Sequence, residues 1–167
     1  MSGDAVGLLR ALIREACVNT GDPASGGEIR AVRVLQRFFA DAPVEMQVFE
    51  AAPGRASLIA RVPGTDPAAP SLGLLGHLDV VPVDAERWTR DPFGGDLVDG
   101  EVWGRGAVDM LNLTSTMAVA MRHLARDGFR PDGTLIYLAV ADEEALGTHG
   151  AEHLAAHERD AGAADHV

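Results

Sequence analysis

The chain has 167 residues, 47% of them hydrophobic and 23% charged, and a formal net charge of −11. That is enough for one domain with a sizeable core, in an ordinary balance for a globular protein. The acidity, with no basic stripe to neutralise phosphates, excludes a nucleic-acid binder and docking on an anionic membrane surface.

Cys17 is the only cysteine, so neither an internal disulfide nor a cysteine zinc knuckle can form. The opening stretch carries Asp4 early and lacks a long apolar segment, so it does not read as a secretory signal. No run approaches the roughly 20 apolar residues of a membrane span. A soluble, cytoplasmic protein is the expectation.

Val6, Leu8, Leu9, Leu12, Ile13 and Ala16 recur at helical spacing, with Arg10, Arg14 and Glu15 opposite. This predicts an amphipathic helix with Asp4 near its start. Cys17 follows on the apolar side, and with no adjacent cation to activate it, inert packing is expected. Asn19 to Gly27 reads as a loop, and Glu28 to Asp41 as a second helix through Ile29, Val32, Leu35, Phe38 and Phe39. The period then changes. Val44, Met46 and Val48 alternate with polar residues, and Ser57 to Val62 follows a Pro-Gly turn, which predicts two neighbouring strands.

After the turn-rich connector 63–70 comes LGLLGHLD, Leu72 to Asp79, a buried strand ending in His77 and Asp79. Residues 83–100 are rich in Asp, Pro and Gly, and Val98 to Trp103 suggests a short hairpin closed at Asp99-Gly100. Met110 to Arg126 reads as a long helix stopped by Gly128. Thr134 to Ala141 is a second apolar strand, ending in Asp142-Glu143-Glu144, and Gly147 to His157 a last helix. Helices and strands in this order predict a layered α/β domain.

Two apolar strands that both end in ligand-type side chains suggest one metal site, because ligands of open α/β sheets collect at strand carboxyl ends. His77-x-Asp79 suits an imidazole ligand and the acceptor that fixes its tautomer. Asp109 immediately precedes the long helix. Glu143 and Glu144 point in different directions, so one can hold a metal while the other handles protons. Taken singly, each has a plainer explanation: a solvated strand end, a helix-capping carboxylate, a solvated turn. Together they form a cysteine-free nitrogen and oxygen donor set that suits a catalytic zinc site. Gly104-Arg105-Gly106 offers only the first two glycines of a dinucleotide loop, and Asp109 would repel a pyrophosphate. His149, His153 and His157, spaced i, i+4, i+8, sit among Glu152 and Glu158 and read as a solvated helix face. His123 and His166 carry no specific signal.

Four ordered motifs, GHLDVVP, Trp88 followed by DPFGG, LVDGEVWGRGAVD and ADEE, resemble the M20 metallopeptidase and deacylase family, which includes aminoacylases, carboxypeptidases of the G type, dipeptidases and succinyl-diaminopimelate desuccinylases. The resemblance covers nearly the whole chain. It implies a three-layer zinc-peptidase-like α/β domain with a mixed, mostly parallel sheet flanked by helices. It implies His77 as a ligand of one ion, Asp109 bridging two, Glu144 on the second, Glu143 as general base, and Asp79 orienting His77. Two Zn²⁺ are implied for a complete site, with Co²⁺ or Mn²⁺ as alternatives. The reaction implied is hydrolysis of an amide bond in a small peptide or N-acyl amino acid. A cis peptide after the bridging Asp is a further family feature, here Asp109-Met110. The chain departs from the pattern at Leu111, where Lys is common, and at Leu146, where Gly is common.

Family members run for a few hundred residues, add further ligands downstream, and often carry a dimerisation domain that makes them homodimers. Residues 1–167 therefore read as the N-terminal part of the catalytic domain, truncated at the C-terminus. A catalytically incomplete fragment or pseudoenzyme that only folds or binds partners is the competing reading.

Overall fold

The computed structural model describes residues 2–167. Helices α1 (Ser2–Arg14) and α2 (Ile29–Phe39) precede a hairpin of β1 (Glu45–Ala52) and β2 (Arg55–Val62). Strand β3 (Leu72–His77) is followed by a small hairpin, β4 (Asp96–Val98) and β5 (Glu101–Trp103). Helix α3 (Leu111–Arg126), strand β6 (Leu135–Val140) and two short helices, α4 (Ala151–His157) and α5 (Arg159–Gly162), complete the order. Among the described residues, no helix is long and apolar enough to cross a membrane.

The main sheet runs β1-β2-β6-β3. Its two inner strands are the most apolar because both of their faces are covered. On β6, Leu135, Tyr137 and Ala139 face a large core with Leu12 and Ile13 of α1, Leu35 and Phe39 of α2, and Ala118 and Met121 of α3. The alternate residues, Ile136, Leu138 and Val140, face a smaller core with Ile59 and Leu154 of α4. One strand thus serves two cores by its period of two, and the domain has three layers, as expected.

The strand directions differ from the expectation of a mostly parallel sheet. The β1-β2 and β2-β6 pairings are antiparallel, and β3-β6 alone is parallel. The reason lies in the connections. Pro53-Gly54 is too short for anything but a hairpin, whereas α3 provides the long crossover that a parallel pair requires. The β4-β5 hairpin closes at Asp99-Gly100 with φ of 52° and 85°, the two left-handed positions that a tight primed turn demands. The last long helix is shorter than its spacing suggests. It begins at Ala151, because Gly147 to Gly150 form a turn in which Gly147 N–H donates to the Asp142 carbonyl (2.7 Å) and Gly150 lies directly against the Ala141 backbone.

Cys17 is buried in the large core, and burial pushes its thiol up to about 12. Because the thiolate is the reactive form, the folded chain is expected to react with a thiol reagent at least ~100-fold more slowly than the urea-unfolded chain. Stopped-flow labelling in the two states measures this, and equal rates would contradict the packing described.

Candidate metal centre

β3 and β6 lie side by side in parallel, with His77 opposite Val140. Both leave the sheet at the same end, so the residues that follow them meet. β3 contributes His77 as its last residue, and the chain beyond β6 contributes Asp142, Glu143 and Glu144. The third contribution comes from the start of α3, where the Asp109-Met110 peptide is cis. Helix α3 sits tightly on β3 at Gly76, where a Cβ would stand 2.6 Å from Thr114 Oγ1. Thr114 Oγ1 donates to the His77 carbonyl at 2.9 Å, and the buried Tyr137 hydroxyl donates to the Thr114 carbonyl at 3.0 Å. These contacts fix the helix start, and with it Asp109, relative to His77.

His77 is buried, and its Nδ1 lies 2.9 Å from the Asp79 carbonyl oxygen. A carbonyl can only accept, so Nδ1 carries the proton and Nε2 of the neutral ring keeps its lone pair. Nε2 faces Asp109 Oδ1 at 3.4 Å and Glu143 Oε2 at 3.6 Å. One ligand atom each from His77, Asp109 and Glu144 lie within 4.8 Å of one another. Among the described residues, no other trio of His, Cys, Asp or Glu converges this closely.

The site has a buried floor and an open rim. His77 is buried and Glu144 half-buried, whereas the Asp109 and Glu143 side chains are 80% and 59% exposed. Burial pushes the Glu144 carboxyl above its ordinary range; His77 opposes this, while Asp109, Asp79 and Glu143 add to it. The N-cap position of α3 is Met110, and the polar neighbour of the Asp109 carboxylate is His77 Nε2 at 3.4 Å. A nitrogen lone pair beside crowded carboxylates is a donor set that fits a divalent cation such as Zn²⁺.

Asp79 lies two residues past the end of β3. Its backbone carbonyl accepts the hydrogen bond from His77 Nδ1–H, whereas its carboxylate stays 3.6 Å from Nδ1. That carboxylate is fully buried and serves the acidic pair. Oδ1 accepts the Glu143 N–H and Oδ2 the Glu144 N–H, both at 3.1 Å, and Oδ2 also accepts Asn19 Nδ2 at 2.8 Å.

A second buried carboxylate, Asp142, completes this support. Its Oδ1 accepts from Arg55 Nη2 (2.7 Å) and Asn19 Nδ2 (2.9 Å), and its Oδ2 accepts the His149 N–H (3.0 Å). Burial pushes Asp142 up, but the hydrogen bonds from His149, Asn19 and Arg55 outweigh it and hold the carboxyl below its ordinary range. Arg55 also grips Glu28 through two 2.9 Å bonds, with both side chains out of water. Asn19, Glu28 and Arg55 carry no chemical motif in the sequence. The signal available was a charge heading a strand buried at every position but Arg61, at Arg55, and a second charge directly after Gly26-Gly27, at Glu28. Of the three spaced histidines, His153 and His157 lie on α4 with ring centres 4.9 Å apart and planes tilted by 46°, and His149 lies before that helix.

Residues 73–167 match the sequence profile of Peptidase family M20/M25/M40. The chain belongs to this family. Succinyl-diaminopimelate desuccinylase of Rhodopseudomonas palustris (strain BisB5) is 36% identical over 152 residues, covering 89% of this chain and 38% of that protein. The M20 family metallo-carboxypeptidase Sso-CP2 from Sulfolobus solfataricus superposes with a TM-score of 0.78 at 20% identity, over 97% of this chain and 36% of that one. The Bacillus subtilis YxeP protein, described as a dinuclear metal binding peptidase of the M20 family, gives 0.61 at 17% identity, over 96% of this chain and 41% of that one. These two likenesses establish the fold. The chain spans under two-fifths of the length of the desuccinylase it matches.

Removing Arg55 would leave Glu28 and Asp142 buried without their shared cation. Arg55→Ala is expected to cost ~3–5 kcal/mol in urea unfolding, and a loss below ~1 kcal/mol, the scale of an exposed ion pair, would contradict the buried network.

Proposed function

We propose that this chain is the N-terminal part of the catalytic domain of a metal-dependent hydrolase that cleaves an amide bond of a small peptide or N-acyl amino acid. The observation that carries the reading is the convergence of His77, Asp109 and Glu144 ligand atoms within 4.8 Å at neighbouring strand ends. Family membership and the desuccinylase likeness support it.

In this reading His77 Nε2, Asp109 and Glu144 would hold the one or two cations of the site. Zn²⁺ is the favoured occupant, and Co²⁺ and Mn²⁺ tolerate the same donors. When bound, such ions supply Lewis acidity toward the scissile carbonyl and toward an attacking water. The protein's own part is proton handling and orientation. Glu143 is exposed toward the open rim, with Oε2 beside His77 Nε2. It takes the proton of the attacking water and delivers it to the departing amine nitrogen, which leaves a carboxylate and an amine. Asp79 holds Glu143 and Glu144 by their backbone N–H groups and, through its carbonyl, keeps the His77 proton on Nδ1. Homodimerisation and a cytoplasmic location belong to the same reading of the whole protein, on the strength of the family alone.

One observation favours a second reading. Among the described residues a single His and two carboxylates converge, which is few for two ions. A catalytically incomplete unit of the same family would bind cations weakly and turn over poorly.

The two readings separate in one experiment. Zn²⁺ titration by calorimetry is run beside hydrolysis of an N-succinyl amino acid and a dipeptide. The hydrolase reading expects Glu143→Gln to keep cation affinity and lose ~10²–10⁴-fold in rate, and His77→Ala to lose cation binding. Binding without any hydrolysis supports the incomplete unit, and binding indifferent to His77→Ala overturns the site assignment.

A further inference from the structure

We infer that Asn19 is a positioning residue for the candidate metal centre: its side-chain amide ties Asp79 to Asp142 and so fixes the Glu143–Glu144 turn. The inference rests on the hydrolase reading only for its consequence in cation binding.

Asn19 lies between α1 and α2, far from the acidic pair in sequence, and its backbone is fastened first. Its N–H donates to the Val80 carbonyl at 2.9 Å, the Val80 N–H donates to the Cys17 carbonyl at 3.0 Å, and Val18 forms a parallel bridge with Val80. The 17–19 segment therefore runs as a short ladder beside the continuation of β3. From this anchored position the side chain, 3% exposed, enters the space under the Glu143–Glu144 turn.

The amide nitrogen has two protons and uses both on different carboxylates, Asp79 Oδ2 at 2.8 Å and Asp142 Oδ1 at 2.9 Å. The amide oxygen faces the other way and accepts from the Gly21 N–H at 3.0 Å and the Ser25 hydroxyl at 3.4 Å. Asp79 in turn holds the Glu143 and Glu144 N–H groups, and Asp142 sets the start of the same turn in a left-handed conformation at φ 64°. Two buried carboxylates that close together repel strongly in a low-dielectric interior. Arg55 neutralises the Asp142 side of the pair, and the Asn19 amide is the donor that lies between the two. Asparagine has the composition the place requires: a neutral group with two donors on one side and an acceptor on the other. Asn19 makes no hydrogen bond to His77, Asp109 or the Glu143 carboxylate, so its effect passes through the acids it holds.

Asn19→Asp separates the two halves of the side chain. It keeps the acceptor for the Gly21 N–H and replaces the double donor with a third carboxylate. Asn19→Ala serves as the uncharged second variant should the first not fold. Backbone amide hydrogen exchange is read by NMR on the metal-free chain, and Co²⁺ binding by its ligand-field absorption. In folded variants the Glu143 and Glu144 amides are expected to exchange at least ~10-fold faster while β2 and β6 amides keep their protection. Co²⁺ affinity is expected to fall ~10–100-fold, with a changed absorption envelope from altered ligand geometry. Unchanged exchange at Glu143 and Glu144 would overturn the inference. So would equal acceleration throughout β6, which marks general loosening. A wild-type chain that takes up no Co²⁺ counts against the hydrolase reading, and the exchange result still decides the role of Asn19.

Discussion

Asp79 and Asp142 are taken almost wholly out of water, 0% and 4% exposed, at the end of the sheet where the functional side chains gather. An isolated buried carboxylate costs several kcal/mol, so their persistence depends on the donors around them. Asp79 accepts three hydrogen bonds, two from the backbone of the acidic pair and one from Asn19. Asp142 accepts from Arg55, Asn19 and the His149 N–H. The donors come from three separated stretches of chain, at Asn19, at Arg55 and at residues 143–149, so the lattice forms only when the fold is complete. It also constrains where Glu143 and Glu144 can lie, because their own backbone N–H groups are among those donors.

The sheet topology explains why these groups meet. A parallel β3-β6 pair brings two strand ends to one edge, and α3, which links them, starts at that edge with Asp109. The antiparallel half of the sheet has a different use. β2 enters the sheet beside β6 and brings Arg55 at its first residue beneath Asp142. Helix α2 is preceded by Glu28, which fixes the Arg55 guanidinium from the opposite side. The mixed sheet thus divides its work: the parallel edge presents the outward donors, and the antiparallel neighbour supplies the buried counter-charge.

The outward donors were legible in the sequence because each breaks a strong local pattern. His77 and the Asp142-Glu143-Glu144 run interrupt apolar strands, and Asp109 stands at a helix start. The layers were legible for the same reason, since the apolar periods of α1, α2, α3 and β6 are long and regular. The strand directions and the support of the site were not. Whether β2 lies parallel or antiparallel to β6 depends on which edge it joins, a matter of chain path rather than local spacing. Asn19 lies 60 residues from Asp79 and 123 from Asp142, Glu28 lies 27 from Arg55 and 114 from Asp142, and nothing in a loop asparagine announces that both of its amide protons are used. Asp79 shows the limit most clearly. Its place beside His77 was readable, but the carbonyl rather than the carboxylate meets the imidazole, and the carboxylate holds the acids instead.

The central claim is that a cation is held by His77, Asp109 and Glu144 above this buried lattice. Anomalous diffraction at the zinc edge, from crystals of the chain grown with Zn²⁺, tests it most directly. The account predicts a peak within coordination distance of His77 Nε2 and of carboxylate oxygens from Asp109 and Glu144. A map with no peak there, or with zinc only at the neighbouring His153 and His157 of α4, would contradict it.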